Sequence, residues 1–238
     1  MYKNPSDVNL ICFPYAGGSK YSYLSFESIA PKGVNVIPIE LPGRGERLLE
    51  PLLFDVNSMV DDLFVQLQDL IHKPYVIFGH SMGALLGFLV VKKITENSLS
   101  LPLHLIVSGL EGPSVKDERK KNRASLPADE FIEELKILGG ISNEIFEDIS
   151  FLSFFEPILR ADFKAIEQHK YSKGNALDIP ICVLFGSEEE FSLTEALFWQ
   201  EESNFEVEVI QFSGDHFFIF EHKKQIMDII KKRLAKGQ

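Results

Sequence analysis

Cysteine is scarce in this chain: there are two in 238 residues, Cys12 and Cys182, each inside a short apolar run. A multi-bridge disulfide framework is therefore excluded, and both positions read as buried free thiols. Positive charge is also short, with 24 Lys and Arg against 35 Asp and Glu and a net charge of −11. That balance disfavours non-specific nucleic-acid binding and adhesion to anionic membranes, which both rely on an excess of cations. Long hydrophobic runs are missing too, for no window approaches the roughly 20 apolar residues of a membrane span. Met1 to Asn9 is polar rather than basic and then apolar, so the expectation is a cytoplasmic protein with neither signal peptide nor anchor. Repeats and low-complexity tracts are absent.

What is present is an ordinary globular composition, 45% hydrophobic and 25% charged, at a length that suits one large α/β domain with a substantial core. Short apolar runs bounded by Gly, Pro or Asp recur at Val8 to Phe13, Val34 to Ile39, Tyr75 to Phe78, Leu103 to Ser108, Ile179 to Phe185 and Phe205 to Phe212. They read as strands. Helix-length segments with apolar spacings of three and four separate them, among them Val56 to Ile71 and Met82 to Thr95, and Glu221 to Lys236 closes the chain. This alternation predicts a mostly parallel sheet with helices on both faces. The alternation lapses at about residues 113–173, where helical patterns occur without a strand. That stretch is expected to be a helical lid insertion over the carboxyl ends of the strands, where open α/β folds place their ligands.

Gly79-His80-Ser81-Met82-Gly83 sits where the run Tyr75 to Phe78 meets the helix starting near Met82. A serine on such a strand-to-helix turn is a nucleophile elbow, and its glycines permit a strained backbone and close chain approach. Ser81 needs a base, and His216 is the best placed of six histidines because it follows a strand and the turn Ser213-Gly214-Asp215. His80, inside the elbow, is expected to pack or hydrogen-bond locally instead. The acid in such enzymes comes between the serine and the histidine in chain order. The loop Gly186-Ser187-Glu188-Glu189-Glu190 offers three glutamates there. Glu189 is chosen and Glu188 is the alternative, with the inward-turning member left open; Asp215 is set aside because it adjoins His216. For the oxyanion, the residue after the nucleophile, Met82, supplies one backbone N–H, and Ala16 in Pro14-Tyr15-Ala16-Gly17-Gly18 is expected to supply the second. That Gly-Gly loop lacks the spacing of a phosphate-binding motif.

Several further motifs extend this pattern from end to end: Phe13 to Gly18, Leu41-Pro42-Gly43-Arg44-Gly45-Glu46-Arg47, Phe78 to Gly83, Val107-Ser108-Gly109, Leu126-Pro127 with Leu138-Gly139-Gly140, Pro157 to Phe163, and Gly214-Asp215-His216-Phe217-Phe218. With them the chain closely resembles the type II thioesterases that accompany nonribosomal peptide and polyketide synthases, and the related chain-terminating thioesterase of fatty acid synthesis. The resemblance implies an α/β-hydrolase fold and a serine hydrolase that releases acyl groups from the phosphopantetheine arm of acyl or peptidyl carrier proteins. It implies the triad Ser81, Glu189 and His216, no cofactor and no metal, and a monomer whose partners are carrier domains. The family's usual acid is Asp at the position of Glu189, and its usual residue at 215 is Gly, so both positions depart from the pattern.

Two features bear on the substrate and partner. Lys116 to Arg123 carries five positive and two negative side chains and is a candidate attractant for an acidic carrier domain. Phe131, Leu135, Phe151, Leu152, Phe154 and Phe155 are candidates for an acyl channel, although aromatic residues at helical spacing more often form core. A carboxylesterase or lipase, an acyltransferase and a non-catalytic carrier-binding homologue are the competing readings.

Overall fold

Alternation within the apolar runs decides the architecture. In Val8–Phe13, Leu10 and Cys12 face one side of the sheet while Ile11 and Phe13 face the other, and all four are fully buried. In Tyr75–His80 the same split sends Val76 and Phe78 to the first side and Tyr75 and Ile77 to the second. Strands buried on both faces need cover on both, which a parallel sheet obtains from two layers of helices. The computed structural model describes residues 8–115, 122–139 and 149–236, with the side chains of 149–151, 235 and 236 excepted.

Six parallel strands, β1 (Val8–Phe13), β2 (Val34–Pro38), β3 (Tyr75–His80), β4 (His104–Ser108), β5 (Ile181–Gly186) and β6 (Glu208–Phe212), lie in the order β2-β1-β3-β4-β5-β6. A short α1 (Leu24–Glu27) follows β1. Next come α2 (Val56–Leu67), capped by the Asp55 carboxylate on the Ser58 N–H, and α3 (Met82–Glu96). These two cover the face formed by Ile11, Ile77 and Val107. Between β4 and β5 lie α4 (Ala128–Leu138) and α5 (Ile149–Gln168), and the described residues there form no strand. After β5 and β6 come α6 (Leu193–Leu197), α7 (Phe218–Glu221) and α8 (Lys223–Lys236). The last turns Ile226 and Ile230, both fully buried, onto the opposite face with Leu10, Phe78 and Leu184. Each such aliphatic side chain contributes about 2 kcal/mol by leaving water. Cys12 and Cys182 are free and buried among them.

Some boundaries differ from the sequence reading, each for a local reason. The helix begun at Val56 ends at Leu67 rather than Ile71, because the Gln68 N–H turns to the Val65 carbonyl and tightens the last turn. Phe205 to Val207 stay outside β6: the Phe205 N–H goes to Ser203 Oγ and the Val207 N–H to Gln200 Oε1, side chains that compete with the ladder. The closing helix is two pieces, broken at His222.

Strand order reverses at β1, which is flanked by β2 and β3. Loops leaving β1 and β3 therefore diverge at the carboxyl edge and leave a crevice between them. Both the Pro14 to Gly18 loop and Ser81 stand there. Of the basic stretch, Lys116 to Lys121 lies outside the described residues; Arg123 is described and bonds Glu134.

Candidate active site

Ser81 occupies φ 54°, ψ −119°, one of two non-glycine residues with positive φ among the described residues. Its backbone is held at both ends: the Ser81 N–H donates to the Ser108 carbonyl at 2.7 Å, and the Ser81 carbonyl accepts from Ala84 and Leu85. Such a strained serine between strand and helix is the geometry expected of a nucleophile. The flanking glycines are steric necessities. A Cβ on Gly79 would stand 2.1 Å from the Gly83 carbonyl oxygen, and one on Gly83 2.3 Å from that of Phe13. Met82 opens α3, so its N–H has no intrahelical acceptor and lies at the positive end of the helix dipole.

His216 stands on the turn between β6 and α7, and its Nδ1 is 2.9 Å from Glu189 Oε2. The two loops that carry them are stitched together, since Ser187 N–H donates to the Phe212 carbonyl, Glu188 N–H to the Gly214 carbonyl and Gly214 N–H to Ser187 Oγ. Of the three glutamates, Glu189 turns inward, its side chain 5% exposed, while Glu188 and Glu190 are exposed. The alternative acid, Glu188, lines the same cavity but is exposed, and the carboxylate at His216 Nδ1 is that of Glu189. Asp215 is exposed and receives the Phe217 N–H.

His80 forms a floor under His216. Its Nδ1 is 3.1 Å from Ser108 Oγ and its ring lies 4.8 Å from that of His216. Burial, and after it the neighbouring His216, holds the His80 imidazole well below the usual histidine range, against hydrogen bonds that raise it. It stays neutral. The unfolded chain protonates this residue near pH 6.5, so below that pH the unfolded state holds more protons and stability falls as pH falls. One such proton costs up to about 1.4 kcal/mol per pH unit. Urea denaturation at pH 7 and pH 5 is expected to show a shallower acid-side loss in His80→Asn than in the wild type; equal losses would contradict a neutral His80.

Ser81, Glu189, His216 and Ala16 all line one cavity of about 500 Å³. Leu135, Leu138, Phe155, Leu159 and Phe163 of α4 and α5 form its apolar wall. Among the candidate channel residues, Leu135 and Phe155 do line it, Phe131 is buried in a separate small core between α4 and α5 with Leu135 and Leu159, and Phe154 is half exposed. The Phe151 side chain lies outside the described residues. A buried Arg44–Asp162 pair abuts the Ala16 loop. Both residues stand in motifs noted above without a role, since nothing in local sequence pairs positions 118 residues apart.

A family model described as thioesterase domain matches residues 8–234. The chain belongs to the thioesterase family. This thioesterase is 33% identical over 228 residues to the gramicidin S biosynthesis protein GrsT of Aneurinibacillus migulanus, covering 95% of this chain and 89% of that protein. Among solved structures it superposes on ClbQ from the colibactin NRPS/PKS pathway with a TM-score of 0.91, at 29% identity and covering 98% of each chain. It superposes on BorB, the type II thioesterase of the borrelidin biosynthetic cluster, with a TM-score of 0.86, at 31% identity and covering 97% of this chain and 94% of that one. Its fold is the α/β-hydrolase fold, and it is a serine hydrolase of thioesters. No helix among the described residues is long and apolar enough to cross a membrane.

Proposed function

We propose that this thioesterase clears acyl groups from the phosphopantetheine arm of acyl or peptidyl carrier proteins of a nonribosomal peptide or polyketide synthase, acting as a cytoplasmic monomer. The observation that carries the reading is the 2.9 Å contact between Glu189 Oε2 and His216 Nδ1 on the wall of the cavity that also holds Ser81. A carboxylate on Nδ1 keeps the proton there and leaves Nε2 as the basic nitrogen. His216 Nε2 takes the Ser81 proton as Oγ attacks the thioester carbonyl, and the Ala16 and Met82 N–H groups receive the oxyanion. The carbon–sulfur bond then breaks, the thiol leaves with the proton from His216, and water activated by the same nitrogen hydrolyses the acyl-enzyme. These residues carry every proton and charge in the sequence of steps, so the scheme calls on no metal or organic cofactor.

The names of the relatives support the synthase assignment: GrsT is named for gramicidin S biosynthesis, and BorB is described as a type II thioesterase. Acylated carrier proteins incubated with the enzyme are expected to release the free acid, with kcat/KM for the thioester at least about tenfold above the matched oxygen ester, or ~1.4 kcal/mol in transition-state binding. A preference for the oxygen ester would make the protein a carboxylesterase. Transfer of the acyl group to an added alcohol or amine in place of water would make it an acyltransferase.

A further inference from the structure

The loop assigned to the oxyanion is a turn whose peptide units are fixed by one bond across the turn and by two side chains from outside it. Gly18 N–H donates to the Tyr15 carbonyl at 2.8 Å, and Gly17 sits at φ 75°. A positive φ at the third residue marks a type II turn with Ala16 second. Because the Tyr15–Ala16 peptide is trans, its N–H points opposite to the carbonyl that Gly18 holds. The next unit is held by Asp162 Oδ2, which accepts the Gly17 N–H at 2.7 Å. The unit that leaves the turn, Gly18–Ser19, is held by Arg44, whose Nη1 donates to the Gly18 carbonyl at 3.3 Å. Arg44 and Asp162 in turn form a two-pronged pair at 2.6 and 2.7 Å, with side chains 3% and 0% exposed.

A buried ion pair is weak support for stability, since the cost of taking two charges out of water offsets their attraction, and apolar residues of similar volume often serve as well. Here each charge also bonds a loop peptide, Asp162 the Ala16–Gly17 unit and Arg44 the Gly18–Ser19 unit. Asp162 lies on α5, whose Leu159 packs where a Gly17 Cβ would stand, 2.4 Å away. Arg44 comes from the loop after β2, on the other side of the crevice. Two remote segments thus meet on one turn.

We propose that Arg44 and Asp162 are positioning residues for the oxyanion loop: together they hold the Ala16 N–H at the angle the tetrahedral intermediate requires and tie α5 to the catalytic centre. This rests on the reading of Ala16 as an oxyanion donor. Neither side chain touches the reacting atoms; both act through the turn. The lid is accordingly not one freely swinging body, because the segment of α5 around Asp162 is anchored to the turn it covers.

The test compares wild type, Asp162→Asn and the apolar double variant Arg44→Met/Asp162→Leu on an acyl-carrier thioester and on an acyl trifluoromethyl ketone, which adds to a serine hydroxyl and presents an oxyanion. The double variant, matched in thermal unfolding to wild type, is expected to lose about 10²-fold in kcat with KM within about threefold, the size of losing one oxyanion donor. Affinity for the ketone should fall by a similar factor. A role confined to folding would leave both unchanged in the fraction that folds, and a folded double variant with kcat near wild type would overturn the proposal. Should the double variant fail to fold, Asp162→Asn decides by the same split between kcat and KM. Amide exchange at Gly17 gives a readout independent of turnover: at least about tenfold faster exchange in Asp162→Asn supports the clamp, and equal rates refute it. A wild type that neither hydrolyses the thioester nor takes up the ketone would instead count against the functional reading, with the exchange result still judging the clamp.

Discussion

Ser81→Ala is expected to lower turnover of an acyl-carrier thioester by about 10⁴-fold or more while leaving the fold intact. The two halves of that expectation have separate causes. The hydrogen bonds that seat residue 81 are made by its backbone, through the N–H on Ser108 and the carbonyl under Ala84 and Leu85, and alanine keeps all of them. Alanine also tolerates φ 54° no worse than serine, so stability should change by no more than roughly 0.5 kcal/mol. Turnover is different, because the covalent route is lost with the hydroxyl and only uncatalysed attack by water on a bound thioester remains. Intact-protein mass spectrometry supplies the companion measurement: an acyl adduct on the wild type after brief incubation, and none on the variant. If Ser81→Ala retained the activity of the wild type, with the same trace of released acid, the protein would be a carrier-binding homologue that kept the fold and lost the chemistry.

Much of the fold was legible because its strands are buried on both faces. A run such as Tyr75 to Phe78 is apolar throughout, and only a strand in a parallel sheet covered on both faces, or a helix far longer than four residues, accounts for that. The helices between strands carried their own period, as in Val56, Met59, Val60 and Leu63, all buried. Ends were harder to read. Whether Val207 joins β6 depends on Gln200 reaching its N–H, a contact invisible to hydropathy.

The site divides the same way. Ser81 was readable from the glycines around it, since close backbone approach leaves a mark in residue type, and His216 from its turn after a strand. For the acid, Glu189 was chosen with Glu188 as the alternative, but which glutamate turns inward was not legible, because three consecutive glutamates have the same chemistry and differ solely in direction. What selects among them is the stitching of the Gly186 and Gly214 loops through the Ser187 N–H and hydroxyl and the Glu188 N–H, which leaves Glu189 facing the imidazole. Arg44 and Asp162 were readable as motif members and silent as a pair, for a contact across 118 residues of sequence has no local signature.

Glu189→Gln is expected to reduce kcat by about 10³-fold or more, whereas Glu188→Gln and Glu190→Gln should stay within about threefold of wild type. An amide that donates to His216 Nδ1 forces the ring proton onto Nε2, the nitrogen that must be vacant to take the Ser81 proton, and loss of this kind through the wrong tautomer costs up to about 10⁴-fold in serine enzymes. It also removes the negative charge that stabilises the imidazolium as the proton arrives. Glu188 and Glu190 are exposed, so neutralising either leaves the imidazole's partner in place. Glu189→Asp separates geometry from charge. It keeps the carboxylate but draws it back by one methylene from a contact now 2.9 Å long, so its activity should fall between those of wild type and Glu189→Gln. Restoration to the wild-type rate would mean that the loop moves to follow the shorter acid, and the extra methylene would then be neutral. Three equal and small losses across the glutamates would remove Glu189 from the triad, because only a carboxylate bonded to the histidine distinguishes the middle position from its neighbours.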